Sequence, residues 1–194
     1  MEAVIATVVG IGLAASCGFR VFVPMLVVSA AANAGYLDLA RGFDWIGTWT
    51  AFVAFSIAAI VEIGAFYIPW LDNMLDAMAS PFAIVAGVIL FAANAVDFDP
   101  FLQWSLAIIA GGGAAAIVQG GTVISRAAST TTTGGLANFA ISTLETIAGF
   151  FFPVIAIVVP VVALVLLIVV VGGMYYIGGR VLRTMWSRGD EAGR

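Results

Sequence analysis

The chain has 194 residues, of which 63% are apolar and only 9% charged, and its mean hydropathy is +1.15. A soluble domain carries roughly a quarter charged residues, so water is not the main solvent of this surface. Seven Arg against eleven Asp and Glu give a formal charge of −4, with no Lys, no His and a single cysteine, Cys17. This composition excludes a basic nucleic-acid surface, an intramolecular disulfide, a thiolate or imidazole metal centre, a Ser-His-Asp triad and a P-loop lysine. No catalytic constellation can be assembled, and no cofactor is expected.

In chain order, Glu2 stands where a secretory leader has Lys or Arg. The apolar stretch behind it outruns the roughly 7–15 residues of a leader core, so the first segment is expected to be retained. Charge-poor runs long enough to cross a hydrocarbon core of ~30 Å predict six segments, 3–32, 46–68, 74–95, 101–127, 136–152 and 154–178. The first is read as one over-long span interrupted by Arg20. The last two come from dividing the 34-residue run Thr146–Gly179 at Pro153, because a single helix of that length would reach ~51 Å. The stretches 35–44, 69–73 and 97–100 read as turns, and no second domain fits between them. Trp45, Trp49, Trp70, Trp104 and Trp186 fall near predicted span ends, where interfacial aromatics belong. Four of the seven Arg lie in the tail, at 180, 183, 188 and 194, which puts the C-terminus in the cytoplasm. Six spans would then return the N-terminus to the same side.

The chain also resembles itself. At an offset of 100, Gly12, Ala14, Ala15, Ser29 and Gly35 align with Gly112, Ala114, Ala115, Ser129 and Gly135. With a loop deletion, the run from Val61-Glu62 to Pro69 matches that from Leu144-Glu145 to Pro153. The expected architecture is therefore all-α: one membrane domain over 1–194, with a three-helix repeat in 1–100, a second in 101–187 and a tail in 188–194. Three spans per half force the second half to enter from the opposite side, an inverted 3+3 repeat. Many transporters share that plan and hold their substrate between the repeats.

Ionisable groups inside such spans are costly, at least ~2.5–3.5 kcal/mol each, and should face a partner or a wet cavity. Arg20, between Gly18 and Pro24, is one such group, with Glu62 as its expected partner; the alternative is that it snorkels from an over-long first span to a place nearer the outer interface than the centre. Glu62 and Glu145 each precede a Pro by seven or eight residues. That spacing leaves both inside the apolar region, as proton carriers or ion-pair partners. Arg126, Ser129, Thr130, Thr131, Thr132 and Thr133 run into Gly134-Gly135. Consecutive β-branched residues favour extended backbone, so this segment is expected to break the helix and line a polar path. Gln119 and Asn138 flank it, as do Ser142 and Thr143. The solvated-loop reading of the same threonines stays open. Gly10, Gly12, Gly18, Gly111 and Gly112 read as close-packing positions. Asp72 and Asp76, one turn apart, could grip a lipid head group through a cation or lie in a solvated turn.

The chain resembles the bacterial membrane-protein family known as domain of unknown function 4126. The resemblance rests on Gly12-Leu13-Ala14-Ala15-Ser16-Cys17-Gly18-Phe19-Arg20, on Val61-Glu62 with Tyr67-Ile68-Pro69-Trp70-Leu71-Asp72, and on Ser129–Gly135 with Ser142-Thr143-Leu144-Glu145. It implies a multi-pass protein of a bacterial inner membrane and brings no catalytic residues. The functional expectation is a small transporter or channel for an ion or small polar solute, dimeric, surrounded by membrane lipids and without nucleic-acid partners. The alternatives are a lipid-handling protein and a non-catalytic scaffold.

Overall fold

The computed structural model describes residues 2–66 and 68–192, with the side chains of 69–78, 181, 182 and 184–192 left aside. The described residues are helical almost throughout: α1 (Glu2–Ser16), α2 (Phe22–Asn33), α3 (Trp49–Ala65), α4 (Pro69–Asn94), α5 (Pro100–Leu106), α6 (Gly113–Thr133), α7 (Asn138–Val158) and α8 (Pro160–Ala192). A short 3-10 turn, Asp44–Gly47, precedes α3, and a wider π turn, Ala107–Gly112, joins α5 to α6. Three of these helical stretches are long and apolar enough to cross a membrane: Pro100–Thr133, Asn138–Val158 and Pro160–Arg180. Among the described residues, the other apolar stretches, Glu2–Ser16, Phe22–Asn33, Trp49–Ala65 and Ala79–Asn94, are shorter.

The first apolar stretch is not the single span expected over 3–32. Its helix stops at Ser16 and restarts at Phe22. Pro24 supplies the reason: in a continuous helix its ring would collide with the carbonyl of residue 20 and its missing N–H would leave that carbonyl unpaired, whereas in the first turn of a new helix it is tolerated. The chain also reverses at this break. Against α7, Arg20 lies beside Gly149 and Gly12 beside Ala156, so α1 and α7 run antiparallel. Alongside the same helix, Val23 shares a groove with Thr146 and Phe150, and Ala34 shares the adjoining groove with Val154 and Val158. Thus α2 runs parallel to α7, and α1 and α2 form a V whose tip is 17–21. Glu2 and Asp38 accordingly line one pocket at its open end.

Contacts fix the other directions. Asn94 Nδ2 donates to the Ala6 carbonyl at 2.8 Å while Gly87 lies against the Ala14 carbonyl, so α4 runs antiparallel to α1. Gly87 also meets Ala115, and Phe91 meets Gly111, which sets α6 antiparallel to α4. Along α8, Tyr175 reaches Ile117 and Gly178 touches Ile124, so α8 runs parallel to α6. Small residues make these approaches close. A Cβ on Gly18 would stand 2.5 Å from Val118 Cβ and 2.6 Å from the Ala115 carbonyl oxygen, distances that no side chain tolerates without backbone movement.

Two further boundaries differ from expectation. The last apolar run divides at Val159–Pro160, not at Pro153, which lies buried inside α7. Pro160 takes the first position of α8, where its missing N–H costs nothing. The threonine segment is not extended: α6 continues through Thr133 and ends on Gly134, whose φ of +65° is the left-handed conformation favoured by glycine. Threonine hydroxyls bond back into the helix, Thr132 to the Ala128 carbonyl at 2.7 Å and Thr133 to the Ser129 carbonyl at 2.8 Å. These satisfied side chains remove the competition with helix that a threonine run otherwise offers.

Candidate functional site

The tip of the V delivers Arg20 to the middle of the bundle, where it is 1% exposed. Its Nη2 donates to the Ser142 carbonyl at 2.8 Å and its Nε to Thr146 Oγ1 at 3.1 Å. The same Nη2 stands 3.8 Å from Glu145 Oε2. From α6, Arg126 reaches the same carboxylate: its Nε donates to Oε1 at 3.3 Å and its Nη2 to Oε2, while Nη2 also donates to Ser142 Oγ at 3.0 Å. Phe66 lies against both guanidinium groups, its ring centre 3.9 Å from Arg20 Cζ and 4.7 Å from Arg126 Cζ.

Helical spacing assembles these groups. Ser142, Glu145, Thr146 and Gly149 stand at i, i+3, i+4 and i+7 on one face of α7, and Gln119, Thr122 and Arg126 share one face of α6. Gly149 carries no side chain because the Arg20 stem occupies that space, 3.1 Å from where a Cβ would lie. Glu62 in α3 and Phe66, the residue that caps its C-terminus, are one turn apart.

Glu62 does not take the role of ion-pair partner expected for it. Its two oxygens accept from the Val21 N–H at 2.7 Å and the Phe22 N–H at 2.9 Å, and among the described side chains the carboxylate within ion-pair distance of Arg20 is Glu145. Glu62 is therefore a cap supplied by a neighbouring helix to the N-terminus of α2, where unpaired N–H groups and the helix dipole favour negative charge. Without it, a helix beginning inside the bundle would bury unsatisfied donors.

Arg20, Glu62, Gln119, Thr122, Arg126 and Glu145 border a cavity of about 10 Å³, room for about one water molecule. Two guanidinium groups and two carboxylates make this set neutral among the described side chains. Such an ion pair is a poor source of stability, since desolvating the charges offsets most of their attraction. Among the described residues, no group of three or more Cys, Asp or Glu side chains is placed to hold a metal ion.

The other sequence-derived candidates lie apart from this centre. Ser129 is buried, with its hydroxyl 3.4 Å from Thr133 Oγ1. Thr130, Thr131, Thr132 and Thr133 are exposed, and Asn138 Nδ2 donates to Thr130 Oγ1 at 3.3 Å. The side chains of Asp72 and Asp76 fall outside the described residues. Sequence reasoning did not single out Phe66, Thr122 or Thr146, and it treated Ser142 only as a flanking polar group. The polar positions of α7 carried a usable signal, because their three-four spacing points them at one neighbour.

No curated protein and no solved structure matches this chain. The family model described as domain of unknown function (DUF4126) matches residues 7–178. The chain therefore belongs to that family.

Proposed function

We propose that this protein is a small integral membrane transporter or channel for an ion or small polar solute, with the Arg20–Arg126–Glu145 centre as its polar site. The carrying observation is that charged groups from the α1–α2 turn, α6 and α7 converge in the bundle interior, at a helix break capped by Glu62. Charges there are unfavourable for stability alone, and broken helices at depth are tolerated where they face protein or a wet cavity.

Glu62 at Phe22 and Gly47 at Ala32 set α3 antiparallel to α2, so α2, α3 and α4 oppose α6, α7 and α8 in turn, which supports the inverted-repeat reading, whereas α1 runs parallel to α6 and falls outside it. On that reading the site lies between halves 1–100 and 101–187. We place the protein in a bacterial inner membrane, among its lipids, as a dimer, with the Arg-rich end of α8 cytoplasmic. The parallel course of α1 and α8 favours the N-terminus on the opposite face, so the expectation of two cytoplasmic termini is not kept. A scaffold is the second reading, favoured by the tight pairing of Glu145 and the small cavity. Solute-dependent current or flux in proteoliposomes separates the two. The transport reading expects flux that falls in both Glu62→Gln and Glu145→Gln, and flux unchanged in both variants would reject these residues as its site.

A further inference from the structure

Gln119 stands apart from the other polar side chains around the central cavity. It is 7% exposed and borders that cavity from α6, as Thr122 does one turn on. Its main-chain carbonyl accepts from Thr122 Oγ1 at 2.8 Å, but among the described residues none donates to its carboxamide oxygen or accepts from its carboxamide nitrogen. A carboxamide carries two donor hydrogens and an acceptor oxygen. Buried dry and unpaired, these atoms forfeit the hydrogen bonds they made to water, and such groups in folded proteins are nearly always partnered by protein or by an ordered water. The packing at the tip of the V holds Gln119 where it is. Gly18 lies so close to α6 that a Cβ there would stand 2.8 Å from the Gln119 main-chain nitrogen, which sets this residue beside the 17–21 turn.

The cavity that Gln119 faces, about 10 Å³, is at the lower limit for one water molecule and too small for a larger ligand. Glu62, on the same cavity, supplies a second partner. Each of its oxygens accepts one main-chain N–H, from Val21 and from Phe22, and a carboxylate has about four acceptor sites, so lone pairs remain. Water has the size of one heavy atom, accepts from a carboxamide and donates to a carboxylate. Being neutral, it leaves the charge of the centre unchanged, and the bridge uses neither arginine. We infer that the cavity is a binding site for one water molecule, which accepts from Gln119 Nε2 and donates to the Glu62 carboxylate. The bridge joins α6 to the residue that caps α2, which makes Gln119 a positioning residue for that cap. It goes beyond the transport reading and does not depend on it.

X-ray radiolysis of the purified full-length protein in detergent, read by mass spectrometry, tests the site, because radicals formed from a bound water hydroxylate the side chains around it. Phe66 borders the cavity at 8% exposure, whereas Phe55, also at 8%, packs on Trp45 instead. We expect wild-type Phe66 to be hydroxylated faster than Phe55. That difference should be lost in Gln119→Leu and kept in Gln119→Asn, which retains a carboxamide. Hydrogen exchange at the Val21 and Phe22 amides should quicken in Gln119→Leu and stay at the wild-type rate in Gln119→Asn. The inference is overturned if Phe66 is labelled no faster than Phe55 in wild type, a comparison that needs no variant to fold. It is overturned equally if Gln119→Leu keeps the label, or if that variant leaves exchange at both amides unchanged. Flux without the label would reject the water site alone, and the label without flux would sustain it while rejecting transport.

Discussion

Removing the Glu145 carboxylate should expose how much of the fold depends on charge balance at its centre. In Glu145→Ala, Arg20 and Arg126, buried at 1% and 4% exposure, lose the carboxylate that both of them reach. Deleting one partner of a buried pair costs about 3–5 kcal/mol, because the surviving charge stays desolvated. Arg20 keeps the Ser142 carbonyl and Thr146 hydroxyl, and both arginines keep the Phe66 ring, which places the expected loss near about 3 kcal/mol. Glu145→Gln retains an acceptor for the guanidinium donors and should lose less than the alanine variant. Replacing Arg126 and Glu145 together by Met should recover part of the loss, since the pair itself adds little beyond an apolar contact. Equilibrium unfolding in mixed micelles, followed by circular dichroism, measures all four proteins. A Glu145→Ala protein within about 0.5 kcal/mol of wild type, or a double variant no more stable than the weaker single one, would refute the reasoning.

Four smaller perturbations separate the neighbouring roles. Glu62→Gln weakens the cap on α2 by about 1 kcal/mol, and hydrogen exchange should accelerate at the Val21 and Phe22 amides that the carboxylate accepts from. Gly18→Ala should destabilise by about 1–3 kcal/mol through overpacking against Val118 and Ala115. Gly172→Ala, in helix α8 with nothing near its Cβ position, should stabilise by up to about 1 kcal/mol in the same unfolding assay. Thr131→Ala and Thr132→Ala remove exposed hydroxyls bonded within their own helix, so stability should stay within about 0.5 kcal/mol and proteoliposome flux should match wild type.

Much of the architecture was legible because apolar runs and turn residues act locally. The helical class, the break at Gly134-Gly135 and the isolation of Arg20, Glu62, Arg126 and Glu145 as costly ionisable groups all follow from that level. Pairing was not legible. Arg20 and Glu62 come from adjacent apolar segments and look complementary, but the reversal at 17–21 turns the N–H groups of α2 toward Glu62 and brings α7 to Arg20. That reversal depends on Pro24 lying four residues after Arg20, a clash visible only once a continuous helix is tested against it. The threonine run misled for a related reason: β-branched propensity is weak, and the carbonyls of Ala128 and Ser129 absorb the hydroxyls. Pro153 misled because a proline inside a bundle can be carried by a helix, while Pro160, seven residues on, starts a new one.

The account depends most on the V formed by α1 and α2, since a straight first span would carry Arg20 away from α7. Labelling with a membrane-impermeant maleimide tests it in intact cells and inverted vesicles, using single-cysteine proteins in a Cys17→Ala background. Glu2→Cys and Asp38→Cys should label from one and the same side, and Arg183→Cys from the other. Labelling of Glu2→Cys and Asp38→Cys from opposite sides would contradict the V and dissolve the site built on its tip.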